Sequence, residues 1–393
     1  MTAYETPEQK QRIAVLDGLR ALAIMMVMLR HAVRAFWPDM TQPFMPIGPT
    51  DMGYFFINGW IGVDLFFVLS GFLITSQLLG SYSRSADGRM NIGLYAKRRF
   101  FRIAPVYYFV LILTVLSLFP YFPYPESDEN LGWRFFYHLF FMQDYFPSDL
   151  NVVFWTLAVE IKFYLLAPFI LMGLLRLPHG VRRYAVLAAA FSTIMLARYT
   201  TVEYMLEPKS DYLSYFLELR SIFHLSLDGL LVGMVCGLLL RDDVFKARLD
   251  KPLMANGLFV SGVVTIALSM LSGVMLDLGV SFYDKVFQGA VIALGFGLML
   301  LGLMGGCIGA SLFSARPLYY IALLSYSMYL LHLPLFFLSE VILRQFMNTG
   351  GVPVQIQFMI FFAFAFCVVS FFSALSYFYI EKPFIRWSHK KKS

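Results

Sequence analysis

About ten apolar runs, each close to the length that crosses a hydrocarbon core, constrain this chain more than any other feature of its sequence. A core roughly 30 Å thick takes about 20 helical residues, and inside it every backbone polar group must find a partner within the protein. The runs are Val15 to Phe36, Tyr54 to Leu79, Ile103 to Phe119, Val152 to Leu175, Tyr184 to Tyr199, Ile222 to Leu240, Leu253 to Leu276, Val286 to Met304, Leu318 to Leu343 and Gln357 to Tyr379. They predict an all-α polytopic integral membrane protein with about ten transmembrane helices. A shorter patch, Trp133 to Met142, is too short to span and reads as an interfacial or re-entrant segment.

The gaps between runs are short, and with 59% hydrophobic and 14% charged residues no stretch remains for a separate aqueous domain. The expected organisation is a cytoplasmic N-terminal tail at 1–12, a membrane-embedded domain at 13–381 and a basic cytoplasmic C-terminal tail at 382–393. Basic residues beside helix ends stay in the cytoplasm, and here they alternate cleanly. Lys10, Arg12, the cluster Arg84 to Arg102, Arg176, Arg182, Arg183, Arg241 to Lys251, Arg316 and Lys382 to Lys392 fall on one side. Asp39, Asp51, the acidic segment Glu126 to Glu129 and the loop Glu203 to Glu218 fall on the other. Both termini are then cytoplasmic, provided that the short fifth run, which ends near Arg198, does cross. The longest connection, Phe119 to Asn151, lies on the outer face, as a solvated loop or as a cover over an acceptor site.

The net charge of +6 follows this topology, and no aromatic-basic groove pattern points to nucleic acid. Cys236, Cys307 and Cys367 sit inside apolar runs with no metal or redox spacing, so no metal site is expected. Arg20, Arg30 and Arg34 interrupt the first run and no cleavage site follows it, so it reads as a retained helix, not a signal peptide.

Ionisable residues within spanning helices are costly and point to function. Arg20 and His31 lie eleven residues apart, which returns to within about 20° of the same helix face and separates them by about 16 Å along the axis. A cation on the donor side and an imidazole on the acceptor side suit a transfer across part of the bilayer. The plainer alternative has Arg20 reaching lipid headgroups and His31 packed and hydrogen-bonded. Arg99 and Arg102 share a face at a cytoplasmic boundary, where they suit phosphate groups or simply anchor the topology on anionic lipid.

The segment Leu16-Asp17-Gly18-Leu19-Arg20-Ala21-Leu22-Ala23, ending at His31-Ala32, resembles the opening motif of the acyltransferase 3 family, integral membrane O-acyltransferases of bacterial polysaccharides and other hydroxylated acceptors. Further blocks match in order. They are Gly62-Val63-Asp64-Leu65-Phe66-Phe67-Val68-Leu69-Ser70-Gly71-Phe72-Leu73-Ile74, then Arg99-Phe100-Phe101-Arg102-Ile103-Ala104-Pro105, then Phe154-Trp155-Thr156-Leu157-Ala158-Val159-Glu160. Near the end, Leu324-Ser325-Tyr326-Ser327-Met328-Tyr329-Leu330-Leu331-His332 and Ile380-Glu381-Lys382-Pro383-Phe384 are also similar.

The resemblance implies His31 as catalytic residue with Arg20 as its partner, and Arg99 and Arg102 as the pair that handles acyl-CoA. A neutral imidazole suits the removal of a proton from a hydroxyl attacking a thioester. Arg30 and Arg34 favour that neutral form if they face His31. Glu160 joins the catalytic set, although a buried carboxylate more readily serves as an ion-pair partner or an orienting group. The family pattern continues there with Glu and Gln, where this chain has Ile161 and Lys162. Asp64, Trp155 and His332 are the candidate substrate-binding residues, with His138 a weaker one, and Asp17 reads as a helix cap.

The implied reaction moves an acyl group, most economically acetyl, from acyl-CoA to a carbohydrate or glycolipid hydroxyl at a bacterial inner membrane, with no permanently bound cofactor. Some family members carry an SGNH hydrolase-like domain; the sequence ends at Ser393 soon after the last run, so the expectation is either a membrane domain acting alone or a separate extracytoplasmic acyl-accepting protein. The same intramembrane charges also suit a proton-coupled or anion transporter, and a sensor or scaffold is the third reading.

Overall fold

The computed structural model describes residues 7–37, 39–40, 42–48, 50–85, 87, 89–123, 130–146, 150–178, 180–204, 212–272, 280–346 and 351–389. The acidic segment Glu126 to Glu129, part of the loop Glu203 to Glu218, and Lys390 to Lys392 lie outside the described residues, as do the side chains of Lys10 and Arg12.

Of the described residues 82% are helical, as the apolar runs require. In chain order the principal helices are α1 (Pro7–Arg34), α2 (Gly62–Arg84), α3 (Ile92–Val115), α4 (Leu131–Leu139), α5 (Trp155–Arg176) and α6 (Val181–Tyr204). They continue with α7 (Asp228–Leu239), α8 (Pro252–Ser272), α9 (Gly289–Met304), α10 (Arg316–Phe346), α11 (Val354–Ser376) and α12 (Lys382–His389). Among the described residues, 7 helical stretches are long and apolar enough to cross a membrane. The fifth expected run is one of them, a 24-residue helix.

Two expectations change. The run Ile222 to Leu240 is helical only over the 12 residues of α7, because Ile222 to Leu227 form a short turn whose Leu225 carbonyl is held by Arg198. Irregular backbone at membrane depth needs such a protein partner. Asp17 is not a cap: α1 begins at Pro7, which places Asp17 inside the helix, where it pairs with Arg20 at 2.7 Å. The last described residues, Lys382–His389, form α12, joined to α11 by a π turn at Tyr377–Glu381.

The chain forms two compact units. One comprises Met1–Ala23, Ile61–Ile92 and Val159–Ala322; the other Ile24–Trp60, Gly93–Ala158 and Leu323–Ser393. In the first, α2 packs on α7 with no space for side chains at the crossing. A Cβ on Gly71 would overlap the Leu230 carbonyl, and one on Gly233 would overlap the Val68 carbonyl. Gly229, Gly233 and Gly237 recur every four residues along α7, the small-residue stripe that lets membrane helices approach closely. Two ion pairs lock the same unit: Arg220 to Asp64, and Arg198 to Asp228, all four side chains buried.

In the second unit, a two-residue β-hairpin (Pro46–Ile47 with Thr50–Asp51) follows α1. The Asp51 carboxylate accepts from the amides of Phe44, Met45 and Gly53. α4 has 9 residues and cannot span. It exposes Trp133, Phe136 and Phe140 and buries Arg134, Tyr137 and His138, a division suited to an interface. α12 lies along the start of α3, with Phe101 stacked on Phe384 and edge-on to Trp387, and Lys97 over the Trp387 ring.

Candidate active site

The second unit gathers residues from four of the sequence blocks around α10. His31 lies in the last turn of α1, half-buried, and its ring sits 5.1 Å from that of His332, the planes inclined at 50°. His332 is fully buried. Its Nδ1 lies 2.8 Å from the Tyr329 carbonyl and 3.2 Å from that of Met328. Carbonyls only accept, so in the neutral ring the proton is on Nδ1 and the lone pair on Nε2. Phe336 packs edge-on to His332, and Phe361 joins Phe336 to Phe36, forming an apolar wall beside the two imidazoles.

The backbone of α10 is opened here by Pro334, which has no N–H for the Leu330 carbonyl. The Asn151 amide donates to that carbonyl at 3.4 Å. The hydroxyl of Tyr329 donates to the Val153 carbonyl at 3.2 Å and is joined at 3.0 Å by Thr156. The block around Trp155 is thereby fastened to the block that carries His332; Trp155 itself is buried.

On the same helix, the Ser327 hydroxyl reaches Glu381 at 3.2 Å and the Ser376 hydroxyl at 3.1 Å as donor to either acceptor. Glu381 is buried and stands 3.8 Å from Arg102, so the last block holds the Arg99–Arg102 block. Tyr326 reaches the Ile103 carbonyl at 2.7 Å, and Arg99 lies over the Tyr95 ring. Ser327 and His332 are five residues apart on α10, about 7.5 Å along the axis and about 140° apart around it. Arg30, beside His31 in sequence, is buried and donates to the Ile57 carbonyl at 2.9 Å.

The other candidates belong to the first unit. Arg20 pairs with Asp17. Asp64 has both carboxylate oxygens on Arg220, at 3.2 and 2.8 Å. Glu160 accepts from the Ser70 hydroxyl at 3.2 Å and, more closely, from Tyr164. His138, in the second unit, donates from Nδ1 to the Arg134 carbonyl at 2.6 Å.

A family model for the acyltransferase domain, Acyl_transf_3, matches residues 13–378. The chain belongs to the acyltransferase 3 family. Among curated members, YrhL of Bacillus subtilis (strain 168), whose provisional name is peptidoglycan O-acetyltransferase, is 29% identical over 410 residues, covering 97% of this chain and 56% of that protein. The O-acetyltransferase OatA of Staphylococcus aureus (strain NCTC 8325 / PS 47) is 26% identical over 94% of this chain and 56% of its own. The peptidoglycan O-acetyltransferase OatA of Listeria monocytogenes is 31% identical over 44% of this chain and 26% of its own. The chain thus spans about half the length of the first two relatives. No solved structure matches. The curated members named above are O-acetyltransferases.

Sequence reasoning missed Arg198, Arg220 and Asp228, and gave Glu381 no role. The signal was present, since each is an ionisable residue in or beside an apolar run.

Proposed function

We propose that the protein moves an acetyl group from acetyl-CoA to a hydroxyl of a carbohydrate acceptor, peptidoglycan or a related glycan, with His31 as general base. The observation that carries this reading is the His31 imidazole, half-buried against a fully buried His332 and an apolar wall. His31 takes the hydroxyl proton as the oxygen attacks the thioester carbonyl, then returns it to the departing thiolate. Arg99 and Arg102 meet the phosphates of coenzyme A as guanidinium donors, with Glu381 fixing the head of Arg102. Trp155, in the same unit as His31, shapes the substrate region. Both termini face the cytoplasm of a bacterial inner membrane, which gives the arginine pair access to its donor. A separate extracytoplasmic acyl carrier remains compatible with this scheme.

The test is release of free coenzyme A from acetyl-CoA by detergent-purified protein supplied with a crude glycan extract, comparing wild type with His31→Ala. Wild-type turnover that is lost in a folded His31→Ala variant supports the reading. No donor consumption by wild type, with solubilised peptidoglycan fragments also tried, overturns acetyl-CoA as donor; full activity in the variant overturns His31 as base.

A further inference from the structure

The buried Nε2 of His332 has no hydrogen-bond partner among the described residues, and with Nδ1 spent on two carbonyls it is a lone pair enclosed by protein. Such an acceptor calls for a donor. The rings beside it are Phe336, which has none to give, Tyr329, whose hydroxyl is spent on the Val153 carbonyl, and His31, 5.1 Å away. We infer that His332 is a positioning residue that sets the tautomer of His31, its Nε2 accepting the N–H of one His31 nitrogen so that the other is the base.

This inference rests on the proposed acyl transfer. The torsion that turns an imidazole about its Cβ–Cγ bond is broad, and hydrogen bonds within catalytic groups often close only when substrate binds, so the tilted rings are a starting arrangement for an N–H···N bond. The burial pattern fixes the direction. His332, fully enclosed, has both nitrogens committed inward, whereas His31 keeps an accessible side. When the acceptor oxygen bonds to the thioester carbon, its proton passes to the free nitrogen of His31; as the C–S bond breaks, that proton goes to the thiolate. The proton on the nitrogen facing His332 stays in place, and its bond to Nε2 stabilises the imidazolium formed between the two steps. His332 touches neither substrate. Its peptide environment performs the task that an orienting carboxylate performs in other histidine-base sites, without placing a charge in the bilayer.

The experiment is solid-state NMR of the full chain, 15N-labelled at histidine and reconstituted in lipid nanodiscs, together with steady-state kinetics. Wild type, His332→Phe and His332→Gln are compared, with His31→Ala to assign signals. The expected result is a single His31 tautomer in wild type, a mixture in His332→Phe, and a kcat for that variant lowered about 100-fold with little change in either KM. His332→Gln, whose amide oxygen accepts the same bond, recovers most of both the tautomer and the rate. An unchanged His31 tautomer and kcat in folded His332→Phe overturn the inference and make His332 a packing residue. An equal loss in the Phe and Gln variants, with the His31 tautomer unmoved, overturns it as well. Wild-type inactivity towards every donor sinks the acyl-transfer reading, while the tautomer measurement still decides whether His332 orients His31.

Discussion

Arg220 grips Asp64 through both carboxylate oxygens, Nη1 to Oδ1 at 3.2 Å and Nη2 to Oδ2 at 2.8 Å, and both residues are buried in the first unit. Removing one partner leaves a lone charge in a low-dielectric interior, at a cost of about 3–5 kcal/mol, whereas replacing both with apolar groups is close to neutral. Asp64→Leu and Arg220→Met should therefore each lower the unfolding temperature in detergent, and the double variant should recover most of the loss. A stable but inactive double variant would show that Asp64 also serves the reaction. Unchanged melting of both single variants would mean that the pair carries no structural weight.

Glu381 ties Arg102 to Ser327, so its removal should loosen the arginine before it disturbs the histidines. If the arginine block handles the donor, Glu381→Gln should raise the donor KM by about tenfold, equivalent to about 1.4 kcal/mol, with kcat nearly unchanged. Initial rates across a range of acetyl-CoA concentrations measure it. A fall in kcat at constant KM would instead connect Glu381 to the chemistry.

The α2 and α7 backbones meet at Gly71 and Gly233, where a Cβ has no space. Gly233→Leu should cost at least about 3 kcal/mol through forced separation of the helices, and yield of monodisperse protein on size exclusion should collapse. On α8, Gly257 has nothing within 4 Å of an added Cβ, so Gly257→Ala should be tolerated and should stabilise by about 0.5–1 kcal/mol. Parallel thermal melts of the two variants separate close approach from helix propensity.

His138 lies on α4, outside the spanning helices. Burial, helped by the nearby Arg134 charge and opposed by the bond to the Arg134 carbonyl, holds its imidazole down to about 4 from 6.5. Its folded form is therefore neutral. Above pH 6.5 neither state is protonated and the stability is fully present; as pH falls from 6.5 towards 4 the unfolded chain takes the proton first, and up to about 3 kcal/mol is lost. The unfolding temperature of wild type should drop through that window, and the drop should be smaller in His138→Phe. Equal pH dependence in the two proteins would assign it to other groups.

Much of this architecture was legible in the residue order. Run length and apolar content are local quantities, and they placed nearly every helix, identified the bilayer as solvent and marked α4 as too short to cross. The ordered blocks from Leu16 to Phe384 pointed to the acyltransferase 3 family, and the Arg20–His31 pair on one face of the first run, with that resemblance, made His31 the candidate base. What hydropathy does not encode is which charge meets which. Asp64 finds Arg220, Glu381 joins Ser327 to Arg102, and His31 meets His332 from the opposite end of the chain. The energy of each such pair depends on distance, direction and burial in space, quantities set by helix packing. Gly229, Gly233 and Gly237 recur every four residues, but the helix they meet is set by packing. The sequence by itself determined the solvent, the helices and the chemistry available; the tertiary structure decided the partners, because a buried polar group is defined by what stands beside it and not by what precedes it in the chain.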